Sequence, residues 1–410
     1  MNNKKSFFFS TAIQMELYIA LLVMTPFLML QNYLQAAIGS ISRAGFDVSG
    51  HFIPYVVVFG SVFILTILFL SWKKLDLWRV IGLFVVIVMV YIGQKSSDYY
   101  FNHKFYELQF NWHYYAYGLF AFIAYRHLKR KDLKDYQIIG RTFVMALGAS
   151  TFDEAVQVYI SSRIFDISDI GKDGWGIVMG LVIMFFIVNH GEIVKDGWKV
   201  RQKKIADYFK NPLSLLVLQA VFVFLLLFNS SLFSDKRYWK EVMGLTIGSF
   251  VLFFIILHVT RNKLVKQIVL ITLGLAILTQ GFFYLKYKDE YLVKTAKGLT
   301  IYKGIPIPFY DVIIFQNSSF RVVDKKTYFN ARDLNTIFLM KPEILIVTKG
   351  FNGKGAKGFI EVYKEWDFVF NEHTESNVQV FTLPNEKART LFNRLKKEGK
   401  NVLLIVHSSY

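Results

Sequence analysis

The chain alternates long apolar runs with short charged loops as far as about residue 285, and then changes texture. A helix that crosses a bilayer needs about 20 mostly apolar residues. Nine runs meet that need, at about 13–35, 52–72, 77–94, 110–127, 140–160, 174–191, 212–233, 241–259 and 265–285. The pattern therefore predicts a polytopic α-helical membrane protein of about nine spans. The third run is short and opens on Arg79, and the fourth, FNWHYYAYGLFAFIAYR, has the aromatic content of a membrane interface as well as of a span. From about Lys286 charges become frequent and apolar runs shorten to strand length. DVIIF, FRVV, ILIVT, NVQVFT and NVLLIVH read as strands, and ARDLNTIFLM, GFIEVYKEWDFVFNEH and NEKARTLFNRLKKEG as helices. Strands alternating with helices predict a soluble α/β domain with a largely parallel sheet.

Composition agrees with a membrane protein and narrows its chemistry. The 410 residues are 54% hydrophobic and include 41 Phe and 23 Tyr. The net charge of +18 raises nucleic acid as a partner, but Lys and Arg sit in short loops between apolar runs, where they set membrane orientation instead. SWKKLDLWR, RHLKRKDLKDYQIIGR, VKDGWKVRQKKIADYFK and TRNKLVK follow the even-numbered spans, and Lys4 and Lys5 precede the first. The expected location is the cell membrane, with the N-terminus cytoplasmic and, after an odd number of spans, the C-terminal domain extracellular. The absence of cysteine excludes disulfides, thiol nucleophiles and Cys-ligated metals. No HExxH or GxSxG arrangement is present. No catalytic residue, metal or cofactor is assigned.

One stretch carries candidate chemistry. DEAVQVYISSRIFDISD, from Asp153 to Asp169, begins at the end of the fifth apolar run. Asp153, Glu154 and Gln157 lie three and four residues apart and share a helix face. His113 and Tyr117, also four apart, fall at the same depth on the fourth span. The following loop adds Arg163, Asp166, Asp169 and Asp173. Ionisable residues at membrane depth face a bundle interior or wet cavity and mark functional sites by default. Two readings stand: a structural network locking two helices and a loop, and an outer-leaflet pocket for a headgroup, glycan or drug. In the tail, TKGFNGKG after a strand lacks the phosphate-loop spacing and reads as an ordinary turn.

HYYAYGLFAFIAYR, then FDEAVQ, then SSRIFDISDIGKDGWG resembles the VanZ-like membrane family over about 78–192. The matching positions are His113, Tyr117, Asp153, Glu154, Gln157, Arg163, Asp166, Asp169 and Gly176. Gln109 and Phe110 stand where the family often has Asp-Lys, and Asp173 where Asn is common. The resemblance implies an envelope protein that alters the response to lipid-tailed glycopeptides such as teicoplanin, without implying a reaction. DVIIF, KPEILIVTKG and QVFTLPNEKARTLFNRLKKEGKNVLLIVHSSY are similar to the α/β domain shared by an adipogenesis-associated protein and a mitochondrial complex I assembly factor, over about 296–410. Its matches are Asp311, Pro342, Glu343, Gly350, Thr382, Phe392, Asn393, Leu395 and His407. That resemblance implies an interaction module with a protein partner.

The expected organisation is N-terminal transmembrane helices at 1–77, a VanZ-like core at 78–192, further transmembrane helices at 193–285 and the α/β domain at 296–410. The expected partners are membrane lipid and an envelope lipid precursor or lipoglycopeptide, with no nucleic acid. A membrane enzyme acting on an envelope lipid or glycan is the alternative, and a scaffold recruiting a partner through the tail is the third.

Overall fold

The computed structural model describes residues 10–24, 31–71, 75–97, 106–159, 165–195, 197–233, 238–323, 340, 342–353 and 378–408. The fold is mostly helical, with sheet concentrated towards the C-terminus. It divides into two compact units, one of Met1–Ser231 with Lys236–Arg261, the other of Leu232–Asp235 with Asn262–Tyr410.

The first unit holds α1 (Thr11–Met24), α2 (Gln31–Arg43), a hairpin of β1 (Gly45–Val48) and β2 (His51–Pro54), α3 (Tyr55–Ser71) and α4 (Leu77–Ser97). There follow α5 (Leu108–Lys129), α6 (Asp135–Gln157), α7 (Ile167–Val182), a π-helical turn (Ile183–Val188), a short α8 (Ile205–Tyr208), α9 (Pro212–Leu232) and α10 (Trp239–Val259). Among the described residues, five helical runs are long and apolar enough to cross a membrane: α4, the continuous Ile167–Val188 run, α9, α10 and α11 (Lys263–Lys286) of the second unit. α1 and Tyr55–Thr66 of α3 are apolar but shorter. α5 and α6 are long but more polar.

α7 is the hub of the first unit, and its glycines explain why. A Cβ on Gly176 would sit 2.7 Å from the Tyr114 carbonyl oxygen, and one on Gly180 would sit 2.7 Å from the Gly118 carbonyl oxygen and from Ala121 Cβ. These small residues, four apart, let the α5 and α7 backbones meet, as small-residue faces do between membrane helices. On another face Gly171 and Gly174 lie against Leu227 and Val223 of α9. Trp175 donates its indole N–H to the Met89 carbonyl of α4 at 2.8 Å. Phe120, Ala121, Ile177, Leu181 and Val223 are buried in the resulting core.

α6 shows how a sequence stripe becomes a site. Its buried residues include Ile139, Thr142, Ala146, Ser150, Glu154 and Gln157, recurring every three or four positions. One face therefore begins apolar and ends polar, and the polar end meets the start of α7.

Two sequence expectations change here. Of the first predicted span, 13–35, the structure describes α1 to Met24 and α2 from Gln31, and 25–30 lie outside the described residues. The second predicted span opens as a strand, since His51–Pro54 pairs with Gly45–Val48 before α3 starts. The sixth begins too late. α7 starts at Ile167, so Asp169 and Asp173 lie on a helix rather than in a loop.

The second unit contains α11, a meander of β3 (Leu292–Ala296), β4 (Leu299–Tyr302) and β5 (Ile305–Pro308), and a five-stranded sheet. That sheet runs β7 (Phe320–Val323), β6 (Asp311–Ile314), β10 (Val402–Val406), β8 (Ile344–Thr348), β9 (Gln379–Leu383), with α12 (Asn385–Lys397) joining β9 to β10. β10, β8 and β9 are parallel, whereas β6 pairs antiparallel with both β10 and β7. The expected largely parallel sheet is thus mixed, because β6 and β7 form a hairpin that adds an antiparallel edge. β8 and β10 are buried along their whole length, and Phe392 and Ala388 of α12 pack into the same core. The predicted helix GFIEVYKEWDFVFNEH, and ARDLNTIFLM apart from its last residue, lie outside the described residues.

Candidate functional site

Asp173 of α7 is the centre of the polar cluster. Its Oδ2 accepts from the Ser150 hydroxyl of α6 at 2.6 Å, and its Oδ1 lies 2.8 Å from His113 Nδ1 of α5. One carboxylate therefore ties three helices. With an acceptor beside Nδ1, the ring carries its proton there, and Nε2 points towards Asp169 Oδ1 at 3.7 Å. Lys172 Nζ lies 3.4 Å from the same Asp169 oxygen. Asp173 is almost wholly buried, while His113 and Asp169 keep about a quarter of their side-chain surface exposed. The cluster thus runs from a buried foot to a partly open rim.

A second group adjoins it at the end of α6. Gln157 Nε2 donates to Glu154 Oε1 at 2.9 Å and to Asp153 Oδ2 at 3.2 Å. Glu154 Oε2 accepts from the Asp166 backbone N–H at 2.9 Å, which fixes the approach of the chain into α7. Asp166 is the N-cap of that helix: its Oδ1 accepts from the Ser168 backbone N–H at 3.0 Å and from the Ser168 hydroxyl at 2.6 Å. A carboxylate there satisfies an orphan helix donor and complements the positive end of the helix dipole. Asp153 Oδ1 is buried and has no hydrogen-bond partner among the described residues. Tyr117, buried one turn along α5 from His113, lies beside Ser150.

The sequence-predicted residues therefore gather. His113, Tyr117, Asp169 and Asp173 form one part, and Asp153, Glu154, Gln157 and Asp166 the other. Arg163 lies outside the described residues. Ser150 and Lys172 were missed by the sequence reading. Ser150 continues the i, i+3/4 stripe from Ala146 towards Asp153 and Glu154, which is the signal that finds it. Lys172 carries no comparable signal, because its partner Asp169 is recognised only once both are on α7.

Chemically, the cluster is acceptor-rich: among the described residues it sets five carboxylates against one lysine and one imidazole. It suits a ligand that brings hydroxyl or ammonium donors. Ser150 gives its proton to Asp173 and not to His113, so the three do not form a nucleophile–base–acid relay. Among the described residues no group of three or more His, Cys, Asp or Glu has metal-binding geometry.

A different polar centre occupies the second unit. Asp311 Oδ2 lies 3.0 Å from His407 Nδ1, and its Oδ1 accepts from the Ser408 backbone N–H at 2.7 Å. Thr348 Oγ1 accepts from the His407 backbone N–H at 2.7 Å, and Asn385 Nδ2 donates to the His407 carbonyl at 2.9 Å. This network closes the carboxyl ends of β8 and β10. Comparison of the chain with protein-family models, with curated proteins and with solved structures found no match.

Proposed function

We propose that this is a VanZ-like integral membrane protein of the cell envelope, with about nine spans, a cytoplasmic N-terminus and an extracellular C-terminal domain. In this reading the acceptor-rich cluster binds the polar part of an envelope lipid, a glycan or a lipoglycopeptide, and thereby lowers teicoplanin susceptibility. The apolar helices support the membrane assignment. The observation that carries the binding role is Asp153: one oxygen is held by Gln157, and the other is buried without a partner among the described residues. An unmet buried acceptor costs about 1–3 kcal/mol. A ligand hydroxyl or ammonium removes that cost, so the site is better satisfied when occupied. The test is teicoplanin and vancomycin susceptibility in a sensitive Gram-positive host carrying wild type, Asp153→Ala or nothing, at matched membrane levels. Protection from teicoplanin by wild type alone supports the reading. Equal susceptibility in all three strains removes it.

A membrane enzyme is the second reading, favoured by one geometry. His113 is oriented through Nδ1 by Asp173, the arrangement that prepares Nε2 for proton transfer. His113→Gln separates the two: it removes the proton-transfer group, abolishing turnover by an enzyme, while the carboxylates that would hold a ligand remain for a binder. A scaffold would instead lose function on deletion of 296–410.

A further inference from the structure

Lys303 and Lys396 meet on one tyrosine at the root of α11. Lys303 Nζ lies 5.2 Å from the Tyr291 ring centroid and 5.8 Å from that of Tyr302, and Lys396 Nζ lies 5.8 Å from the Tyr291 centroid. Both lysines are half-buried. Burial holds both below the usual lysine range, and the charge of Lys303 depresses Lys396 further. Among the described residues neither forms an ion pair with a carboxylate. Lys396 is anchored by donating to the Gln316 carbonyl at 2.7 Å, and the Lys303 backbone N–H donates to the Tyr291 carbonyl at 2.8 Å. The two lysines are thus held in place with no balancing carboxylate among the described residues.

Their position identifies the missing charge. Lys303 and Gly304 form the two-residue turn between β4 and β5, both with positive φ. That turn rests on the last turns of α11: a Cβ on Gly304 would lie 3.2 Å from Phe283 Cβ and 3.5 Å from Gln280 Nε2. α11 has 24 residues and buries none of them against protein. At 1.5 Å per residue it is about 36 Å long, enough to cross a hydrocarbon layer of about 30 Å. Resting on the proposed membrane reading, the lysine pair sits where this helix leaves the bilayer. Tyr287 stacks on Phe283 there with Lys286 above its ring, the aromatic and basic make-up of a headgroup zone. Ile305, beside the turn, is an exposed apolar residue.

We propose that Lys303 and Lys396, gathered on the Tyr291 ring, clamp the phosphate of an anionic phospholipid at the end of α11. The test uses the full chain in phosphatidylcholine nanodiscs with and without phosphatidylglycerol. Phosphatidylglycerol retained by the protein is measured by native mass spectrometry. Lys303→Gln with Lys396→Gln should reduce retention about tenfold, while the equally charge-depleting pair Lys297→Gln with Lys397→Gln leaves it unchanged. Circular dichroism confirms that both variants are folded, and the single change Lys303→Gln, with a smaller loss, replaces the pair if it is not. Equal loss from both pairs, or no loss from either, overturns the proposal. Inorganic phosphate added to phosphatidylcholine discs distinguishes the source. If phosphate alone raises the wild-type melting temperature as phosphatidylglycerol does, and fails to in the Lys303/Lys396 variant, the site takes a soluble anion and the membrane assignment falls.

Discussion

Gly180 of α7 presses against the Gly118 carbonyl of α5, so closely that a methyl group on Gly180 would stand 2.7 Å from that oxygen. Both sides of this contact are backbone, and neither can rotate away as a flexible side chain would. Gly180→Ala should lower stability by about 1–3 kcal/mol through overpacking. Gly148→Ala, where the added Cβ meets nothing within 4 Å, should be neutral or stabilising by up to about 1 kcal/mol. Thermal unfolding in one detergent compares the two.

Asp173 serves two donors at once, Ser150 and His113. Asp173→Asn directs an amide N–H₂ at one of them and should cost about 1–3 kcal/mol, with Ser150→Ala nearer 1 kcal/mol. Because the residues share a bond, the double variant should cost less than the two single effects added together. Strict additivity in a double-mutant cycle would show that the contact contributes nothing in the folded protein.

The junction between α4 and the end of the α7 run has an acid-sensitive tie. Asp76 Oδ1 accepts from the Arg79 backbone N–H at 2.9 Å, and its Oδ2 pairs with His190 Nδ1. Arg79 Nε donates to the Ile187 carbonyl at 2.9 Å. The Arg79 N–H first, then the His190 bond, hold Asp76 below the usual carboxylate range. Its contribution is therefore complete above about pH 4 and disappears as pH falls through the depressed value. Wild type should exceed Asp76→Asn in stability at neutral pH, with the gap closing only in strong acid. A gap that instead grows on acidification would rule out this linkage.

In the second unit, Asp311→Ala removes the acceptor of both His407 Nδ1 and the Ser408 N–H. Leaving two buried donors unmet should cost about 2–5 kcal/mol. Hydrogen exchange resolved by mass spectrometry should accelerate in 402–408, and in β8 beside it, while α5 to α7 stay unchanged.

What the sequence disclosed follows from where burial is uniform. ILIVT reads as a strand because β8 is covered on both faces, and NEKARTLFNRLKK reads as a helix because only one side of α12, including Ala388, Phe392 and Leu395, is buried. The meander Leu292–Pro308 escaped notice, since its strands have four or five residues and place Lys294, Thr295, Thr300, Pro306 and Pro308 among the apolar positions. The start of α7 was hidden for a different reason. A hydropathy window rejects Asp169, Lys172 and Asp173, yet they remain helical because His113, Ser150 and one another satisfy them. The site residues on α6, Ser150 included, lie on one legible stripe, whereas Lys172 acquires meaning only once it and Asp169 are placed on the same helix.

The π turn at Ile183–Val188 acts as a change of phase. Each residue of an α-helix advances about 100° around the axis. A wide turn inserts one extra residue without extending the helix by a full step, so side chains beyond it are rotated by about that amount relative to the glycine face of α7. Asn189 then reaches the Tyr125 hydroxyl and His190 reaches Asp76 and Arg79. Both lie past the last helical residue, Asn189 as the cap and His190 at positive φ, so deleting one residue within 183–188 would shift the point where the chain leaves the helix. Trp175 and the glycine face would keep α4 and α5 in register, while Tyr125 and the Asp76–Arg79 corner lost their partners together, so a single-codon insertion sets where the chain turns away from the bundle.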